Sequence, residues 1–123
     1  MLTPLACIAI AVYFEARGEN LAGQMMVAET ILNRVEDPRW PNTACKVVKQ
    51  RNQFSFYSDG KSDKPKNREL YLVATDVASE ALEGKHLNSG SLWFHANYVK
   101  PSWRHRLEVS VRIGRHIFYK DKT

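Results

Sequence analysis

The chain is short of the residues and patterns that would place it in several large classes. It holds two cysteines, Cys7 and Cys45, among 123 residues, too few for a disulfide framework. They are expected to be reduced, partly buried thiols, with a single bridge between them left open because the sequence gives no distance. The four histidines, His86, His95, His105 and His116, lack the paired spacing of zinc ligands, so neither a metal nor another cofactor is expected. No glycine-rich phosphate loop and no nucleophile elbow are present, which sets aside nucleotide chemistry and serine-hydrolase chemistry. Repeats, low-complexity segments and dense basic blocks are missing too. The longest apolar run, Leu5 to Phe14, is too short to cross a bilayer. It lacks the positively charged start of a signal peptide, and Glu15-Ala16-Arg17 follows at once. It reads as a core helix of a soluble chain, made in the cytoplasm without an export signal of its own and with no stable membrane insertion.

What remains is ordinary globular material. Apolar residues make up 44% and charged residues 25%, and the length suits one domain over residues 1–123. Eighteen basic residues against 13 acidic ones give a net charge of +5, which favours a polyanionic partner such as a nucleic acid, an anionic membrane or an anionic cell wall. The charges are scattered rather than interleaved with aromatic residues as in a stacking platform, so no nucleic acid partner is expected. Nothing demands more than a monomer.

Helical periods dominate the first two thirds. Thr3 caps a first helix with Pro4 at its first position, Leu5, Ile8, Ala9, Val12 and Ala16 form an apolar stripe, and Gly18 stops it. Asn20 caps a second helix with Val27, Ala28, Ile31, Leu32 and Val35 inward, ended at Asp37-Pro38. Thr43 caps a short helix to about Lys49. Residues 53–57 read as an extended segment turning at Asp59-Gly60. A long helix runs from about Asn67 to Glu83, with Leu70, Val73, Ala74, Val77 and Ala81 inward and Gly84 as its stop. The period then changes. Leu92 to His95 reads as a strand, and the alternation of Leu107, Val109, Val111 and Ile113, broken at Gly114 before Ile117-Phe118-Tyr119, predicts a small antiparallel hairpin. The fold class is α+β, a mainly helical domain with a minor antiparallel sheet.

Glu15 falls at the margin of the first helical stripe, roughly 80° from its centre at about 100° per residue. A carboxyl there is partly desolvated, which raises its pKa and suits it to general-acid work. Most glutamates at helix ends are simply solvated or ion-paired, so this placement makes Glu15 a candidate and no more. Glu19, four residues on, either faces the same cleft or sits by the start of the second helix, where the helix dipole favours an anion. Arg17 points elsewhere, toward a structural partner.

The stretch Tyr13-Phe14-Glu15-Ala16-Arg17-Gly18-Glu19, followed by Gly23-Gln24 and Ile31-Leu32-Asn33-Arg34-Val35, resembles the SleB-type cell wall hydrolase family, the spore cortex-lytic enzymes and their phage relatives. The resemblance continues through Trp40-Pro41-Asn42-Thr43, Gln53-Phe54-Ser55-Phe56 and Asp59-Gly60. It resumes at Trp93 to Val99, Pro101-Ser102-Trp103 and Ile113 to Tyr119. It implies a lysozyme-like fold and cleavage of peptidoglycan glycan strands between N-acetylmuramic acid and N-acetylglucosamine by a lytic transglycosylase, with Glu15 as the catalytic acid. Glu19, Gln53, Ser55, Tyr57, His95 and Tyr98 are the substrate-binding candidates. His95 competes with a purely structural role, Phe54, Phe56 and Trp93 are expected in the core, and Trp40 and Trp103 are expected to be exposed enough to stack on a sugar. The spore enzymes carry a signal peptide and a separate wall-binding domain, and neither is read here, which favours a phage lysis enzyme acting on the host wall.

A transglycosylase manages with one carboxyl, whereas most glycosidases need two, about 5–5.5 Å apart for retention and about 6.5–9.5 Å apart for inversion. Two readings stand beside it. One is a hydrolytic muramidase pairing Glu15 with Glu19 or Asp59. The other is a non-catalytic basic domain binding cell wall or nucleic acid.

Overall fold

The computed structural model describes residues 2–50, 65–85 and 88–123. The expected helices form where their caps place them. The Thr3 side chain accepts the Ala6 amide and opens α1 (Pro4–Ala16). Asn20 accepts from Gly23 and opens α2 (Leu21–Val35). Thr43 accepts from Lys46 at the start of α3 (Ala44–Lys49), and Asn67 from Leu70 at the start of α4 (Arg68–Leu82). Each cap satisfies one of the otherwise orphaned first-turn amides. Gly84, at φ +88°, closes α4: its amide donates to Ala81 and the next amide to Glu80, a geometry that a left-handed residue makes possible.

α1 is buried over most of its circumference. Besides the predicted stripe, Cys7, Ala11 and Tyr13 are enclosed, because α2, α3 and α4 all pack against it. A helix that is apolar nearly all round belongs in the middle of its domain rather than at its surface. Met26, Val27, Ala28 and Ile31 from α2, Val47 and Val48 from α3, and Ala74, Val77, Ala78 and Ala81 from α4 complete the core. Leu70 of α4 and Leu32 and Val35 of α2 pack at its edge.

The expectation of two reduced thiols is corrected. Cys7 of α1 and Cys45 of α3 form a disulfide, their Cα atoms 5.2 Å apart across 38 residues of chain. The packing of α3 on α1 brings the two into bridging range, a proximity that no local pattern encodes.

Three antiparallel strands, β1 (Trp93–Ala96), β2 (Glu108–Ile113) and β3 (His116–Lys120), form a sheet of order β1-β3-β2. A 3₁₀ turn, Ser102–Arg106, lies between β1 and β2. The predicted hairpin is β2–β3, with an irregularity between Val109 and Val111. Strand alternation divides the sheet. Phe94, Ala96, His116 and Phe118 face the helices, where Phe118 is fully buried. Trp93, His95 and Tyr119 face outward beneath Trp103. No helix among the described residues is long and apolar enough to cross a membrane.

Candidate active site

Glu15 lies in the last turn of α1, half-buried, at a cleft with roughly 200 Å³ of free space. The rest of the lining comes from two other parts of the chain. The α1–α2 junction gives Ala16, Gly18 and Glu19, and the sheet gives Ala96, Tyr98, Arg115 and His116. Tyr98 follows β1 and is 81% exposed, so its ring is free to meet a substrate. Arg115, in the β2–β3 turn, adds an exposed cation to the rim.

Glu19 faces the same cleft, but its carboxylate is engaged. Oε1 accepts the Arg115 backbone amide at 2.6 Å and stands 3.2 Å from Nδ1 of His116. The side chain thereby holds the β2–β3 turn against the end of α1. The close approach depends on Gly114, at φ +55°: a Cβ there would lie 2.9 Å from Glu19 Oε2. The Gln24 side-chain amide donates to the Glu19 carbonyl and steadies the junction. Burial lowers the pKa of His116 below the usual histidine value, and the nearby Glu19 carboxylate only partly opposes this.

The other candidates are distributed unevenly. Glu15, Glu19 and Tyr98 are brought together. His95 is not: it is buried on the outward face of β1, with Nδ1 2.7 Å from the Ala96 carbonyl and Nε2 2.7 Å from the Tyr119 hydroxyl. Both ring nitrogens are occupied, the ring stacks on Tyr119, and the side chain is turned away from Glu15 by the two-residue alternation of the strand. Gln53, Ser55 and Tyr57 lie outside the described residues, as do Phe54, Phe56, the predicted 53–57 segment and the turn at Asp59-Gly60. Arg17 sits over the Tyr13 ring at 4.8 Å, a structural partner of the kind expected. Trp40, Trp93 and Trp103 are all half-buried, none deep in the core and none lining the described Glu15 cleft.

Several buried polar residues escape a reading of the sequence. The Glu29 carboxylate, on the apolar face of α2, accepts the amides of Asn88 and Ser89 at 2.9 and 2.8 Å and the Ser89 hydroxyl. From Ser89 a chain of hydroxyls runs through Ser91 to Ser110 of β2. Asn33 donates to the Ser91 carbonyl and Arg34 to the Leu92 carbonyl. Burial lowers the Arg34 pKa to about 10. The signal available in the sequence is a charged residue inside an apolar stripe, Val-Ala-Glu-Thr-Ile, which marks a buried partner without naming it.

The helical body with its small antiparallel sheet is shared with known proteins. A model of the cell wall hydrolase family matches residues 18–119, and the chain belongs to that family. The spore cortex-lytic enzyme of Halalkalibacterium halodurans is 32% identical over 116 residues, covering 90% of this chain and 33% of that protein. The enzyme of the same name from Bacillus subtilis strain 168 is 32% identical over 116 residues, covering 90% and 35%. The chain thus spans about a third of the length of these curated relatives. Among solved structures, the catalytic domain of the germination-specific lytic transglycosylase SleB from Bacillus anthracis superposes with a TM-score of 0.82 at 30% identity, covering 95% of this chain and 93% of that one. The catalytic domain of the Bacillus cereus SleB protein gives 0.81 at 30% identity, covering 95% and 89%. The expected α+β class, helical with a small antiparallel sheet, is the class of these domains.

Proposed function

We propose that this chain cleaves peptidoglycan glycan strands between N-acetylmuramic acid and N-acetylglucosamine as a lytic transglycosylase, with Glu15 as both acid and base. The observation that carries the reading is the engagement of the second glutamate at the cleft. Glu19 is committed to the Arg115 amide and His116, and a carboxylate held this way serves architecture rather than nucleophilic attack. Glu15 is the other acid lining the cleft among the described residues, and a transglycosylase needs only one carboxyl. Family membership and the likeness to a lytic transglycosylase domain support the same reading.

In the reaction, protonated Glu15 donates to the glycosidic oxygen as the C1–O bond breaks. The resulting carboxylate takes the proton from the C6 hydroxyl of the muramic acid. O6 attacks C1 and closes a 1,6-anhydro ring, with no water consumed. Glu15 returns to its protonated form. Tyr98 flanks the substrate at the open side, and Arg115 attracts the carboxylates of the stem peptides. Gln53, Ser55 and Tyr57 remain substrate-binding candidates on the family resemblance, whereas His95, with both nitrogens engaged, braces β1 against β3. The chain acts on the wall as a monomer, and the Cys7–Cys45 bridge suits work outside the reducing cytoplasm.

Digestion of purified peptidoglycan by the wild type and Glu15→Gln, read by mass spectrometry, tests this. Anhydromuramic ends from the wild type are expected, with a loss of roughly 10²-fold or more in the variant. Reducing ends gained by water would make the enzyme a hydrolase, and full activity of Glu15→Gln would remove Glu15 from its role.

A further inference from the structure

All three tryptophans of the chain gather at one place, and it is not the Glu15 cleft. Trp93 and Trp103 line a second cleft, with roughly 270 Å³ of free space, together with Arg39, Arg106, Leu107 and Asp121. Trp40 packs on Trp93 at 5.4 Å, ring edge to ring face. This cleft is on the outward face of the sheet, because Trp93 points away from the helices while Ala96 and His116, which line the Glu15 cleft, point toward them. The two clefts therefore open on opposite faces of the same three strands.

The charges of the second cleft are unequal. Arg39 is saturated: its guanidinium meets Asp121 at 2.7 Å and Asp37 at 2.9 Å, so the one carboxylate in the lining is already neutralised. Arg106 is exposed, and its side chain has no hydrogen bond or ion pair among the described residues. Lys122, whose ammonium donates to the His105 carbonyl, adds a further cation beside it. Flat aromatic walls next to such a guanidinium suit a ligand with a sugar face and a carboxylate.

We propose that this outward cleft is a second binding site for an anionic muropeptide unit of peptidoglycan, its sugar against Trp93 and Trp103 and a stem-peptide carboxylate on Arg106. The site rests on the wall-degrading reading above and extends it: an enzyme anchored on one strand through the outward face presents Glu15, on the other face, to a neighbouring strand.

The arrangement supplies its own probe, since every tryptophan reports on the outward cleft. Glu15→Gln protein is titrated with soluble N-acetylglucosaminyl-N-acetylmuramyl tetrapeptide while tryptophan emission is followed. A saturable change is expected, weakened at least about tenfold by Arg106→Glu, the scale of one charge-assisted hydrogen bond. It should be unaffected by Lys46→Glu, which makes the same charge change on α3. Unchanged emission would overturn the site, as would equal weakening by the two charge reversals. Chitotetraose, a neutral glycan, should bind more weakly and without regard to Arg106; binding as tight as the muropeptide's would overturn the role of the carboxylate. The titration needs no turnover, so a failure here and a failure to find anhydromuramic products are separate results.

Discussion

The helical body and the sheet are held in different ways. Within the body, α1 meets α2, α3 and α4 through apolar side chains, with the Cys7–Cys45 bridge as a covalent strap between α1 and α3. Phe118 and Phe94 give the sheet an apolar footing on the same core, but its position is fixed by directed polar ties. Glu29, Asn33 and Arg34 of α2 take hold of the chain entering β1, and Glu19 takes hold of the β2–β3 turn. Apolar packing tolerates small rearrangement, whereas a buried polar tie fixes one geometry and is costly to leave unmade. The Glu15 cleft lies across that boundary, its acid on the body and much of its wall on the sheet, so the polar ties set the distance between them.

The largest effect separating the two regions should come from the strap. Replacing Cys7 and Cys45 together by alanine should cost about 4 kcal/mol, the loop-closure value for a bridge spanning some 38 residues. Denaturant unfolding of the oxidised protein against the double variant measures it. A change below about 1 kcal/mol would show that packing of α3 on α1 suffices without the bond.

Next comes a direct contrast within α2. Glu29→Leu leaves the Asn88 and Ser89 amides without their acceptor and should cost about 3 kcal/mol. Ile31→Val, two residues on and equally buried, should cost about 1 kcal/mol. Equal costs would erase the distinction between apolar and polar seams. Gly114→Ala should lose about 1–2 kcal/mol from left-handed strain and contact with the Glu19 carboxylate. Because it shifts the wall carrying Arg115 and His116, its turnover should fall more than its stability, which parallel unfolding and product assays would resolve.

The smallest effect is a pH dependence. His116 is held below its usual pKa by burial, so the unfolded chain binds the proton more readily. Its contribution is fully present above about pH 6.5 and is lost as the pH falls through the lower folded value. Glu19 faces the ring and opposes the shift, and His95 adds to it. Asp37 and Asp121, lowered by Arg39, act in a separate window below the usual carboxylate pKa. Urea unfolding at pH 7 and pH 5 should show the wild type losing more stability on acidification than His116→Asn, and equal losses would remove the histidine from this role.

Much of the helical body is legible in the sequence alone. Thr3, Asn20, Thr43 and Asn67 each cap a helix by accepting an amide three residues on, so both partners sit in one short stretch of chain. The alternation from Leu107 to Tyr119 places the hairpin for the same reason. The position of Glu15 at the end of α1, and of Glu19 four residues on, follows from helical spacing, and Tyr98 from the family resemblance.

Other features depend on the tertiary structure because their partners are far apart in the chain. The cysteines meet across 38 residues, Glu29 and Ser89 across 60, Glu19 and Arg115 across 96. Sequence determined which residues were able to act: two thiols, two carboxyls near one helix end, a histidine in a strand, three tryptophans. Packing decided what each one does. It joined the thiols, turned Glu19 into a latch for the β2–β3 turn, and hid His95 beneath Trp103. It gathered the tryptophans on the outward face of the sheet and set Glu15 at the cleft. A local pattern fixes backbone conformation over a few residues, and only the folded core sets which distant side chains come within hydrogen-bonding reach.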